Sequence, residues 1–183
     1  MEVLIKLLDN SAVSSLGKEI TCVDALKIVS DNYNVLLAPA VIQECFQFRN
    51  AVLFERVKPF SLTVQDERFV ELAKTIKTIN YRLGPGEIDT IAASIILSSQ
   101  EIDNYIVLDE RLARKIVETI HLNPQLSNIM GGPISPIKCT GTIGILAHLR
   151  KKNILAKEIT KQIAYDLELS DFRVSEELLN LLR

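Results

Sequence analysis

The sequence predicts an α/β protein, a three-layer α/β/α sandwich with a mostly parallel central sheet. Three observations carry this. Short apolar runs alternate with stretches of helical spacing along all 183 residues, the pattern of strands joined by covering helices. Hydrophobic residues make up 48% of the chain and Trp is absent, so the core rests on Leu, Ile, Val and Ala, the usual filling of such a sandwich. Two of the apolar runs close on an acid, Asp9 and Asp109, at the strand ends where open parallel sheets bind ligands.

The elements follow in order. Val3 to Asp9 reads as a buried strand. In the stretch after it, Gly17 is expected to end a short helical turn. TCVDALKIVSDN reads as a helix with Thr21 as N-cap and Val23, Leu26, Ile28 and Val29 on an apolar face. Asn34 to Pro39 is a second buried strand, and Pro39 opens a helix holding Val41, Ile42, Cys45 and Phe48. VKPFSLTV is a third strand despite Pro59. QDERFVELAKTIKTIN sets Phe69, Leu72, Ala73 and Ile76 at helical spacing. A helix from about Gly86 to Ser99 then leads to the strand Asn104–Glu110, followed by the helix ERLARKIVETI. HLNPQLSNIMGGPISP reads as irregular. A last strand runs into GILAHLRKKNIL, and the tail reads as two helices broken near Ser170 to Phe172. The second is capped by Ser175, with Glu176 and Glu177 in its first turn. The expected organisation is one domain over 1–183, with an inserted loop at about 121–137 and a helical C-terminal tail at about 156–183.

Composition narrows the function. Lys+Arg number 21 against 23 Asp+Glu, a net charge of −2, which does not suit a nucleic-acid binder working by bulk attraction. Mean hydropathy is +0.19, yet no apolar run approaches the roughly 18 residues of a membrane span. The opening MEVLIKLLDN carries charges at Glu2, Lys6 and Asp9 and does not read as a signal peptide. A cytoplasmic protein without membrane contact is expected. Cys22, Cys45 and Cys139 are odd in number and far apart, so no disulfide framework is read. His121 and His148 sit in no metal-like or triad-like pattern, and no phosphate-binding glycine motif appears.

The chemistry lies in the carboxylates. If the strands ending at Asp9 and Asp109 are neighbours, both acids enter one crevice; each alone also suits a helix cap, before NSAV and before ERLAR. In LGPGEIDTIAAS, a Gly84-Pro85-Gly86 turn opens onto Glu87 and, two residues on, Asp89. At about 100° per residue, Ile88, Ile91, Ala92, Ile95 and Ile96 share a stripe. Glu87 and Asp89 flank it on opposite sides, so their side chains diverge, and helix-start electrostatics alone would favour both. Glu44 lies one turn into the helix entered at Pro39, a place where a Glu is ordinarily solvated. Together, Asp9, Glu44, Glu87 and Asp109 make an oxygen-only donor set suited to Mg²⁺ or Mn²⁺. Four acids without a cation repel and raise one another's pKa, and a divalent ion suits phosphodiester hydrolysis. Arg111, Arg114 and Lys115 follow Asp109, and Arg150, Lys151 and Lys152 end a helix; either group suits RNA phosphates flanking the acids, though cations at a helix C-terminus are ordinary.

Five stretches, LLDNSAVSSL, APAVIQECF, LGPGEIDTIAAS, VLDERLARKIV and TGTIGILAHLRKKNIL with DFRVSEELL, resemble in order the segments of the PIN-domain nucleases, the fold of VapC-type toxins. The resemblance covers nearly the whole chain. It implies a PIN-like α/β/α sandwich and a Mg²⁺- or Mn²⁺-dependent endoribonuclease, often a homodimer and often silenced by a small antitoxin. It gives metal-ligand roles to Asp9, Glu44, Glu87 and Asp109. Ser11 supports the Asp9 region, and Asp89, Glu110 and Thr142 line the site. The stretch after the 110–120 helix is longer than the family's, and Glu110 stands where a second Asp is frequent. Two other readings are kept: a non-catalytic module of the same fold, and an aspartate-nucleophile phosphatase using Asp9. Asn10 and Ser11 replace the Asp-x-Asp that the latter ordinarily needs.

Overall fold

A computed structural model describes residues 4–48, 53, 60–61, 66–170, 172 and 174–183. Its centre is a parallel sheet, five-stranded among the described residues, in the order β3-β2-β1-β4-β5. The strands are β1 (Ile5–Leu8), β2 (Asn34–Leu37), β3 (Phe60–Ser61), β4 (Asn104–Val107) and β5 (Cys139–Thr140). β1 lies in the middle, with Lys6 paired to Val35 on one side and to Tyr105 on the other. The chain steps outward from β1 to β2 and β3, then returns to place β4 on the opposite side. The order reverses between β1 and β4, the kind of switch point at whose carboxyl edge open parallel sheets bind ligands.

Alternation along each strand sorts the core into two layers. Leu8, Val35, Leu37 and Val107 point to one face. There they meet α1 (Asn10–Ser14), α2 (Ala25–Asn32), α3 (Pro39–Gln47), α8 (Thr142–Lys151) and α9 (Lys157–Leu169). Leu7, Leu36, Ile106 and Leu108 point to the other, covered by α4 (Arg68–Ile79), α5 (Pro85–Ser99), α6 (Arg111–Ile120) and α7 (Pro124–Met130). This is the expected three-layer sandwich. No helix among the described residues is long and apolar enough to cross a membrane.

Several elements differ from the sequence reading. The stretch expected to be irregular holds α7, and its signals are local. Asn123 caps the first turn, Pro124 opens the helix, and Gly131 ends it at φ 73°, a left-handed backbone that glycine adopts freely. Asp24, not Thr21, caps α2 by accepting from the Lys27 N–H at 3.1 Å. The Thr21 N–H is taken instead by Asp166 of α9. The turn around Gly17 does not end there but continues as a π-helix over Ser15–Glu19. A side chain at Gly17 would meet Leu53 Cδ1 at 2.6 Å. α5 is not amphipathic: Thr90, Ala93, Ser94 and Leu97 are buried along with the Ile stripe. It runs between the sheet and α4, so polar Ser94 is satisfied inside, by Asn104 Oδ1 at 2.6 Å. The third strand is the two-residue β3, and the rest of VKPFSLTV lies outside the described residues. The tail forms α9 and the four-residue α10 (Glu176–Leu179), capped by Ser175 as expected.

Candidate functional site

Because every crossover in a parallel sheet returns through a helix, the helices that follow the strands begin at the sheet's carboxyl edge. That edge is therefore rich in unpaired helical N–H groups. The acids singled out in the sequence sit among them.

Asp9 follows β1 directly and caps α1: its Oδ1 accepts the Ala12 N–H at 2.8 Å. The Ser11 hydroxyl reaches both of its oxygens, at 3.0 and 2.8 Å. Asp109 stands two residues beyond β4. Its Oδ1 accepts the Thr142 N–H at 2.8 Å, at the start of α8, and its Oδ2 accepts the Thr142 hydroxyl at 2.6 Å. A residue that the sequence reading passed over joins the two sides. Ser15 is buried, with its Oγ 2.9 Å from Thr142 Oγ1 and 3.5 Å from Asp109 Oδ2. It lies one helical turn after Ser11, so LDNSAVSS places two hydroxyls on the face that begins with Asp9. Gly141 was also missed. A Cβ there would lie 2.9 Å from Asp109 Oδ1 and 3.2 Å from Arg114 Nη1.

Burial dominates the electrostatics. Asp9 is 4% exposed, and its carboxyl is pushed up to about 7 by desolvation. The charges of Asp109 and Glu87 add to the push, and the Ala12 and Ser11 hydrogen bonds oppose it. Asp109 is also raised by burial, against the Thr142 bonds and the nearby Arg114 charge. No Lys or Arg among the described residues forms an ion pair with Asp9, Asp109, Glu44 or Glu87.

Glu44 and Glu87 meet at a second point, the N-terminus of α5. Glu87 Oε2 turns back to the Gly84 N–H at 2.8 Å, and Glu44 Oε1 accepts the Gly86 N–H at 2.7 Å. Glu87 is raised by burial, with the charges of Glu110 and Glu44 contributing. Asp89 diverges as its spacing implies and accepts the Ala40 N–H of α3 at 2.9 Å. Glu110 caps α6 through the Leu112 N–H at 3.3 Å. Arg111 and Lys115 are exposed, whereas Arg114 is partly buried. Arg114 also lines a cavity of about 220 Å³ with Asp109, Gly141 and the tail residues Phe172, Val174 and Leu178.

The four acids thus form two linked pairs rather than one cage. Among the described residues no three His, Cys, Asp or Glu side chains are grouped to hold an ion as a set. The Asp9–Asp109 pair still fits Mg²⁺ or Mn²⁺ in kind and number. Its donors are oxygens, neither acid is ion-paired among the described residues although Arg114 stands near Asp109, and Mg²⁺ ordinarily binds one or two carboxylates while keeping several waters. Comparison with family models, with curated proteins and with solved structures finds no match to this chain.

Proposed function

We propose that the protein is a Mg²⁺- or Mn²⁺-dependent endoribonuclease of the PIN type, working at Asp9 and Asp109. One observation carries the reading. Two acids are buried at the switch point of a parallel sheet, the charge of Asp109 pushes Asp9 up, and among the described residues neither is ion-paired, Arg114 standing near Asp109 alone. A buried uncompensated charge is costly, and a divalent ion relieves it. When bound, such an ion supplies Lewis-acid polarisation of a phosphoryl group and an activated water.

The chain's own residues do the rest. Asp9 and Asp109 hold the ion, each oriented by a helix N-terminus and a hydroxyl, Ser11 for one and Thr142 for the other. Ser15 ties the Thr142 hydroxyl in place. Arg114, beside Asp109 and open to the cavity, is positioned to grip an RNA phosphate flanking the scissile bond. Glu87 contributes negative charge at the edge of the pair, and Glu44 fixes the α5 N-terminus that carries it. A small antitoxin partner and a homodimer remain part of this proposal by resemblance.

The test is cleavage of single-stranded RNA with Mg²⁺ or Mn²⁺, comparing the protein with its Asp9→Asn and Asp109→Asn variants. Metal-dependent cleavage lost in both variants supports the reading. Equal cleavage in all three, or none with any RNA, removes it.

A second reading has its own observation. Each acid is already bonded to a helical N–H, which suits a non-catalytic module in which the carboxylates only fasten helices. A calorimetric titration in which the protein takes up no divalent ion would favour it.

A further inference from the structure

A second cavity, of about 180 Å³, lies on the face of the sheet covered by α8. It is lined by Lys6, Tyr33, Tyr105, Thr140, Gly144 and His148, with Ile145. Its volume is many times the ~10–15 Å³ that one water needs. It shares only the Thr140 and Gly144 wall with the cavity beside Asp109.

The base of this cavity is a lysine in the middle of the central strand. Lys6 is 5% exposed. Its Nζ stands 3.8 Å from the Tyr105 ring centroid and 5.0 Å from that of Tyr33. No carboxylate and no hydrogen-bond acceptor among the described residues is bonded to it. The acid acting on it, Asp103, is ion-paired with Lys138. Two further ammonium groups flank the same rings: Lys138 Nζ is 5.3 Å from Tyr105 and Lys152 Nζ is 5.8 Å from Tyr33. Tyr33 buries its hydroxyl without a partner.

A buried ammonium faced by more ammonium groups is an unfavourable arrangement for a folded chain on its own. Burial holds the amine down at about 8; the Asp103 charge opposes this, and the smaller Lys152 and Lys138 charges add to it. A buried amine and a buried hydroxyl without hydrogen-bond partners, with two further ammonium groups and one carboxylate close by, suit an anion. A phosphoryl group matches best. It carries up to two charges and three strong acceptor oxygens, and lysine binds it as a point charge without a fixed fork.

We propose that this cavity binds a phosphoryl-bearing anion, with the Lys6 ammonium at its base, Tyr33, Tyr105 and His148 around it, and Lys152 beside the Tyr33 ring. The site is independent of the nuclease reading, since it uses none of the acids.

The test is titration with inorganic phosphate at neutral pH. Thermal unfolding and calorimetry are read against chloride at equal ionic strength. The protein is expected to show saturable binding and a rise in melting temperature. Lys6→Met, which keeps the apolar stem, is expected to weaken binding at least tenfold. Tyr33→Phe, which removes only the hydroxyl, is expected to weaken it severalfold. Lys152→Gln, at an exposed position, gives the same direction if Lys6→Met does not fold. A parallel titration with a nucleoside 5′-monophosphate identifies the source. Tighter binding than phosphate assigns an organic phosphate, and weaker binding a free oxyanion. Phosphate acting no better than chloride, or variants that titrate like the parent, would overturn the proposal.

Discussion

Glu44 of α3 accepts the backbone N–H of Gly86 in α5 at 2.7 Å, and the bond exists because position 86 has no side chain. A Cβ there would lie 2.6 Å from Glu44 Oε2. The favour is returned at Ala40, whose N–H in α3 is taken by Asp89 of α5. Each helix thus satisfies an orphan donor of the other, and each places a negative charge at the other's positive end.

This clasp predicts stability effects separable from metal binding. Glu44→Ala and Asp89→Ala are each expected to cost about 1 kcal/mol, the usual loss on removing a helix-start acceptor. Gly86→Ala, which pushes the flexible Glu44 carboxylate aside, is expected to cost a similar amount. Because Gly86→Ala and Glu44→Ala break the same bond, their double variant is expected to lose less than the sum. Denaturant unfolding checks all four, and full additivity would contradict a shared contact.

Asp9 predicts a pH dependence with a definite sign. Its folded-state pKa of about 7 lies above its ordinary value of 3.8. Between those values the folded state holds the proton that the unfolded state has lost, so stability falls as pH rises through this window. Asp9→Asn is neutral throughout and keeps an oxygen for the Ala12 N–H. Its advantage in melting temperature is expected to be small near pH 4, to widen toward pH 7 and to level off above. At about 1.4 kcal/mol per pKa unit the full gap is on the order of 10 °C. A gap that stays constant with pH would show that Asp9 does not titrate in this range.

The same residue predicts a metal effect. At pH 8 in the absence of divalent ions, Asp9→Asn is expected to be the more stable protein. Millimolar Mn²⁺ is expected to raise the melting temperature of the parent and to leave Asp9→Asn nearly unmoved, closing the gap. Equal shifts in both proteins would assign the ion to another place.

Thr142 is a positioning residue for Asp109. Thr142→Val removes the 2.6 Å hydroxyl bond to Asp109 and the Ser15–Thr142 contact, an expected cost of about 1–3 kcal/mol. It also removes a bond that favours the ionised Asp109. The acid limb of any metal-dependent activity is therefore expected to move to higher pH. Loss of stability with an unmoved pH profile would leave Thr142 a purely structural role. Gly141→Ala tests the space instead. The backbone there has φ −107°, which alanine adopts without strain, but its Cβ would press on Asp109. Mn²⁺ affinity is expected to fall about tenfold with little change in unfolding free energy.

The fold was legible because period and punctuation agreed. The strand–helix alternation located β1, β2 and β4, and the Asp9 and Asp109 strand ends fell on adjacent strands. What the sequence hid was mostly long-range. Nothing in LGPGEIDTIAAS says that Gly86 makes room for a carboxylate 42 positions earlier, or that Asp89 reaches back to Ala40. Ser15 reads as one of several serines until Thr142 is brought to it from 127 residues away. Lys6 alternates into the core face of a strand whose other members are apolar, and only the sheet shows that Tyr105 lies beside it and Tyr33 close by. α7 is the exception, since Asn123-Pro124 and Gly131 were local signals outweighed by a Pro- and Gly-rich neighbourhood.

Calorimetric titration of Mn²⁺ into the parent protein and into Asp9→Asn and Asp109→Asn is the most direct measure of the acid pair. Saturable uptake by the parent, abolished in both variants while each stays folded, is the predicted result. No uptake by the parent, or uptake undiminished by either substitution, would contradict a divalent-ion centre between β1 and β4.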